Sequence, residues 1–255
     1  MSTAPILSCE KVTVAFDGFK AVNGMDLQLM PGELRFLIGP NGAGKTTMLD
    51  VICGKVKAAS GTLRFMNEFD ISRKKEYEIA ELGIGRKFQA PSIFVGLTVY
   101  ENLELAMSQN RSVWATLRAT MSRDEHTRIM RQLDMIGLTH RANTVAGGLS
   151  HGEKQWLEIG MMLMQEPSLL LLDEPVAGMT DTETEKTGEL LQEIIKERTV
   201  VVVEHDMDFV RSFATKVTVM HEGKLLKEGT MQEVQEDEVV SEVYLGHGRD
   251  SRAVG

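Results

Sequence analysis

Apolar and polar positions alternate at the start of the chain. Val12, Val14 and Phe16 share one parity, and Asp17-Gly18 follows as a turn signal. The pattern then changes to short unbroken apolar runs. ELRFLIGP (33–40) predicts a strand running into a glycine-rich loop, and GKTTMLDVICG (44–54) predicts a helix closed by Gly54. GTLRFMN (61–67) predicts a short strand. Helical spacing dominates from about 72 to 165, where Thr98/Glu101 and Ser122/Glu125 stand three apart as capping boxes do. SLLLLDEP (168–175) and TVVVVEHD (199–206) predict two more apolar strands. Helices from about 181 to 196 and from about 206 follow them. KVTVMHEGKLLKEG (216–229) predicts a hairpin, and Thr230 with Glu233 caps a last helix. Runs apolar on both parities suit a sheet covered on both faces. The pattern therefore predicts an α/β core with a mostly helical insertion between about 70 and 165.

Composition narrows the partners. Of 255 residues, 37 are acidic and 28 basic, a net charge of −9 that argues against gripping nucleic acid through its phosphates. The two cysteines, Cys9 and Cys53, have no zinc or disulfide spacing and read as small buried apolar residues. No apolar run approaches the roughly 20 residues that span a bilayer. The N-terminus lacks the basic-then-apolar order of a secretory signal. Work at a membrane would thus require a membrane-embedded partner. Met161, Met162 and Met164 read first as core packing and second as a pliable partner surface.

Three segments carry candidate chemistry. In GPNGAGKTT (39–47), Gly39, Gly42 and Gly44 let the backbone curl so that successive N–H groups can face one phosphate. Pro40, Asn41 and Ala43 complete the loop. Lys45 reaches the β- and γ-phosphates, the Thr46 hydroxyl coordinates Mg²⁺, and Thr47 adds a donor. LLLLDEP (169–175) ends an apolar strand in two carboxylates at the edge where nucleotides bind in parallel sheets. Asp173 would hold Mg²⁺ and Glu174 would polarise the attacking water. VVVVEHD repeats the design and delivers His205, which can hydrogen-bond the γ-phosphate. Glu204 and Asp206 beside it read as solvated charges.

GGLSHGEKQ (147–155) is a second glycine-rich entry into a helix, suited to an anion. One phosphate loop already serves one ATP. Ser150 and Gly152 therefore read as capping the nucleotide of a second copy, in a closed two-fold pair.

GPNGAGKTT, Gln89, LSHGE, LLLLDEP and His205 occur in that order over nearly the whole chain. The sequence resembles the ATP-binding subunit of ABC transporters. The resemblance implies a P-loop NTPase fold: an α/β core with a mixed or parallel sheet, N-terminal antiparallel β-strands and a helical subdomain. Its parts would be a core over about 1–88 and 166–242, the helical subdomain over about 89–165 and a flexible tail at 246–255. It makes Phe16 the aromatic that stacks on adenine, and Gln89 the γ-phosphate sensor and a metal contact. It implies transmembrane permease subunits, a second ATPase subunit (identical or a paralogue), a periplasmic solute-binding protein, and a place on the cytoplasmic face of the plasma membrane.

FQAPSIFVGLTVYENL, the insertion with Trp114 and VVSEVYLG resemble the ATPases of branched-chain amino acid importers. LSHGEKQWLEIGMMLM and DEPVAGMTDTET are most similar to the urea-importer branch, so the resemblance implies urea first and branched-chain amino acids as the alternative. Three positions depart from the family pattern. His151 replaces a glycine, Glu153 a glutamine, and Thr180 an aspartate in the loop after Pro175. Glu153 would either face a trans phosphate unfavourably or favour its own helix start as a first-turn acid.

Overall fold

The structure is a computed structural model that describes residues 4–86, 93–107 and 123–243. Gln89, Trp114, Ser122 and the tail lie outside the described residues.

The opening alternation folds into a hairpin, β1 (Leu7–Phe16) and β2 (Phe19–Leu29), paired through Phe16 and Phe19. Asp17 and Gly18 turn it with φ of 47° and 88°, the positive pair that matches strand twist in two-residue turns. β4 (Ser60–Phe65) pairs with the other edge of β1, and the two-residue β5 (Phe69–Asp70) extends the antiparallel sheet to the order β2-β1-β4-β5.

The apolar runs form the second sheet. β3 (Leu34–Ile38), β6 (Ile84–Arg86), β7 (Leu169–Asp173), β8 (Thr199–Val203), β9 (Lys216–His221) and β10 (Lys224–Gly229) lie in the order β10-β9-β3-β8-β7-β6. Only the β9–β10 hairpin is antiparallel. Every residue of β3, β7 and β8 is buried. Leu37, Leu171 and Val201 face α1 (Lys45–Ile52) and the antiparallel sheet. Phe36, Leu172 and Val202 face the opposite core, with α3 (Val99–Ala106), α4 (Arg123–Met135), α5 (His151–Leu163) and α6 (Asp181–Ile194). Each such side chain contributes about 1.5–3 kcal/mol by leaving water.

Two features correct the sequence reading. β6 lies within the stretch read as mostly helical, because three residues are too few to print a period. ELRFLIGP reads as apolar, yet Arg35 is fully buried within it. Its guanidinium reaches Glu33 at 2.6 Å, Thr218 at 2.6 Å, the Gln28 carbonyl at 3.0 Å, and Glu228. Removing one member of a buried ionic network strands the others. Arg35→Ala should therefore cost about 3–5 kcal/mol, read as a lower midpoint in urea unfolding.

Candidate active site

The phosphate loop connects β3 to α1. A Cβ on Gly39 would stand 2.1 Å from the Met220 carbonyl oxygen, and one on Gly44 would stand 2.3 Å from that of Ala21. Both positions also have positive φ, so only glycine fits. Neighbouring backbone clamps the loop from outside. Gly223 donates to the Ala43 carbonyl at 3.0 Å and accepts from Asn23 at 2.8 Å, tying β2, the β9–β10 turn and the loop together. Lys45 Nζ donates to the carbonyls of Gly39 at 2.8 Å and Pro40 at 3.1 Å, which centres its charge inside the curl. Burial lowers the Lys45 pKa, and the nearby Glu174 and Asp173 carboxylates oppose that shift. Phe16 is half-exposed at the tip of the β1–β2 hairpin.

β7 and β8 are adjacent and parallel, with Asp173 opposite Val203. The residues just past their ends must therefore meet. Glu174 donates its N–H to the Val203 carbonyl at 2.9 Å, and its Oε1 lies 3.5 Å from His205 Nδ1. Both side chains are more than half exposed. Glu174 has φ 48°, a left-handed backbone unusual for glutamate that turns its carboxylate out of the strand. The Asp173 carboxyl is raised above its ordinary range by burial, against the Thr46 hydroxyl hydrogen bond and the Arg86 charge.

The donor set suits a hard divalent cation. Asp173 Oδ2 is buried without a hydrogen-bond partner, and the Thr46 hydroxyl bonds the same carboxylate. Mg²⁺ takes one or two such oxygens together with substrate phosphates. Among the described residues no cluster of three or more His, Cys, Asp or Glu offers an all-protein cage.

Ser150 and Gly152 open α5. The Ser150 hydroxyl accepts from the Glu153 N–H at 3.1 Å, and Glu153 Oε2 accepts from the Ser150 N–H at 2.8 Å. Glu153 Oε1 also accepts from Arg141 Nε at 3.0 Å. Burial works against this carboxylate, but the Ser150 N–H and Arg141 hold its pKa below the usual range. Of the two readings of Glu153, the geometry matches the first-turn acid. His151 Nε2 lies 3.0 Å from the Ala177 carbonyl, and the Ser150 hydroxyl also donates to Glu183 on α6 at 3.1 Å. One group of predicted site residues, Lys45, Thr46, Asp173, Glu174 and His205, thus gathers at one sheet edge. Ser150 and Gly152 are held instead against the loop after Pro175 and α6.

The sequence pattern of the ABC transporter family matches residues 22–177. This chain is an ATP-binding subunit of that family. The ABC subunit is 34% identical over 251 residues to "High-affinity branched-chain amino acid transport ATP-binding protein LivG" of Escherichia coli K12, covering 95% of this chain and 98% of that one. It is equally similar, with the same coverage, to BraF of Pseudomonas aeruginosa, which carries the same description. Among solved structures, the ADP conformation of an ATP-binding cassette of an ABC transporter superposes with a TM-score of 0.82 at 31% identity, covering 96% of this chain and 100% of that one. A dimeric ATP-binding cassette in a post-hydrolysis state, bound to ADP and phosphate, gives 0.72 at 27% identity, covering 88% and 98%. The ABC fold read from the sequence is therefore correct, and the chain is an ATPase. The relatives named here carry branched-chain amino acid descriptions and lend no support to urea.

Three residues of the ABC subunit, Glu204, Asp206 and Arg86, are more engaged than the sequence suggests. Glu204 is not a solvated charge but 1% exposed. Its Oε1 accepts from the Val176 N–H at 3.2 Å and its Oε2 from the His205 N–H at 3.1 Å, with Asp206 N–H as a further donor. It links the segment after Glu174 to the segment carrying His205. Burial raises its pKa, and those N–H groups oppose the shift. Asp206 is likewise committed, capping α7 (Met207–Phe213) through the N–H groups of Asp208 and Phe209 at 3.0 Å each. Arg86, at the end of β6, bonds Asp50 on α1 and stands 3.9 Å from Asp173. Position gave no signal for Glu204, since Glu174 also follows a fully buried strand and is exposed.

Proposed function

We propose that two such subunits close head to tail around ATP and that this closure drives the permease subunits of an importer of the branched-chain amino acid group. The observation that carries the reading is the split site. The phosphate loop, carboxylates and histidine share one edge, while the second anion corner, Ser150 and Gly152, faces elsewhere and is suited to a partner's nucleotide. Phe16 stacks on adenine. The loop N–H groups and Lys45 bind the β- and γ-phosphates. Water adds to the γ-phosphorus, its proton passes to Glu174, and the bond to ADP breaks while His205 orients the transferred group. Thr46 and Asp173 would hold Mg²⁺, with Gln89 as a further contact, and the ion would offset phosphate charge. Ser150 and Gly152 of the companion chain complete the enclosure.

No helix among the described residues is long and apolar enough to cross a membrane. The permease contact falls to a cleft of about 630 Å³ lined by Arg86, Phe94, Leu105, Glu158, Met161 and Met162, among others. The subunit sits at the cytoplasmic face through that contact, where Met161 and Met162 would supply the pliable surface and Met164 packs in the core. The LSHGEKQWLEIGMMLM and DEPVAGMTDTET segments keep urea as the second solute. The test is ATPase activity of the subunit reconstituted with its permeases and solute-binding protein. Leucine, isoleucine or valine should raise turnover severalfold. Stimulation by urea alone moves the assignment to the second solute, and stimulation by neither sinks the importer reading.

A further inference from the structure

The anion corner at the start of α5 already holds an anion from its own chain. Glu183 stands in the first turn of α6, where Oε2 accepts from the N–H and hydroxyl of Thr180, both at 3.0 Å. That capping box fixes the carboxylate's direction. Its other oxygen, Oε1, accepts from the Ser150 hydroxyl at 3.1 Å. The Gly152 N–H also donates to this carboxylate. A Cβ on Gly152 would fall 2.5 Å from Oε1, so only glycine lets the acid approach this closely. The two groups assigned to a partner's γ-phosphate are thus the two that Glu183 takes.

We infer that Glu183 is an internal competitor for the signature corner, which the phosphate of the companion chain's ATP must displace before the pair can close. This rests on the two-chain reading above. A phosphate oxygen and a carboxylate oxygen cannot both accept from one Ser150 hydroxyl and one Gly152 N–H, and like charges this close repel. Thr180 acts as the anchor, because without its cap the carboxylate loses the bond that aims it. The competition sets the ATP concentration at which two chains associate. It is a positioning effect, since Glu183 acts through the corner it occupies.

The test is an ATP titration of chain association at fixed protein concentration, with Glu174→Gln present to stop turnover. Glutamine at 183 keeps the capping box but drops the charge. Glu183→Gln should lower the midpoint by about three- to tenfold, the scale of one net hydrogen bond, because with its oxygen kept on Thr180 the amide nitrogen cannot accept at the corner. Its thermal midpoint should stay unchanged. With Glu174 intact, KM for ATP should fall by the same factor. Glu183→Ala loses cap and charge together, so its thermal midpoint should fall while its ATP midpoint still drops. A merely structural Glu183 would lower stability and weaken association together. A Glu183→Gln midpoint equal to or above that of its parent overturns the inference alone. If the Glu174→Gln chain stays monomeric at every ATP concentration, or if Ser150→Arg associates as readily as its parent, the two-chain reading fails and this inference with it.

Discussion

Replacing Glu174 with glutamine should lower ATP turnover by about 10²–10⁴-fold, the range that positioned proton transfer supplies. ATP binding should survive. Glutamine has the same length and shape, so the left-handed backbone at this position and the N–H bond to Val203 remain. What disappears is the acceptor for the water's proton. The 3.5 Å approach of Glu174 to His205 also loses its charge, and His205 remains free to turn toward phosphate. Bound ATP that is not consumed keeps two chains together, so gel filtration with ATP should show a dimer where the parent runs as a monomer. Phosphate release at more than a tenth of the parental rate would assign proton removal to another group.

The second large effect concerns Lys45. Lys45→Ala should weaken ATP binding by about 10–100-fold, the scale of hydrogen bonds to a charged partner lost from a partly buried site. The ammonium is held by the Gly39 and Pro40 carbonyls in the curl of the loop. Its loss leaves those acceptors without their donor and two nearby carboxylates without an opposing charge. Lys45→Arg should not restore binding, because a planar fork needs more room than a compact ammonium held by two carbonyls. Calorimetric titration with ATP checks both variants. An alanine variant that binds within twofold of the parent would remove Lys45 from the site.

The sequence declared some parts of the molecule openly and concealed others for physical reasons. β7 and β8 were legible because burial on both faces forces long apolar runs, and β3 because only a single arginine interrupts its run. The phosphate loop was legible because glycine is the only residue its two close carbonyl approaches admit. The capping boxes expected at Thr98 and Thr230 both form, and two more form at Ser150 and Thr180, where none was expected. β5 and β6 are too short to carry a period. Glu204 was misread and Arg35 passed unnoticed for one shared reason: a charge in the sequence says nothing of the partners folding brings to it. Arg35 finds Glu228 and Thr218 nearly two hundred residues away. The branched-chain alternative gains support from the relatives' descriptions, and the urea reading does not.

Glu204 carries a last consequence. It is a rigid strut between two loops that are distant in the chain. In the proposed pair, a push on the segment after Pro175 would reach the His205 backbone through this one side chain. Under the head-to-tail proposal, cleavage would answer to the neighbour's arrival as well as to the fuel in the pocket.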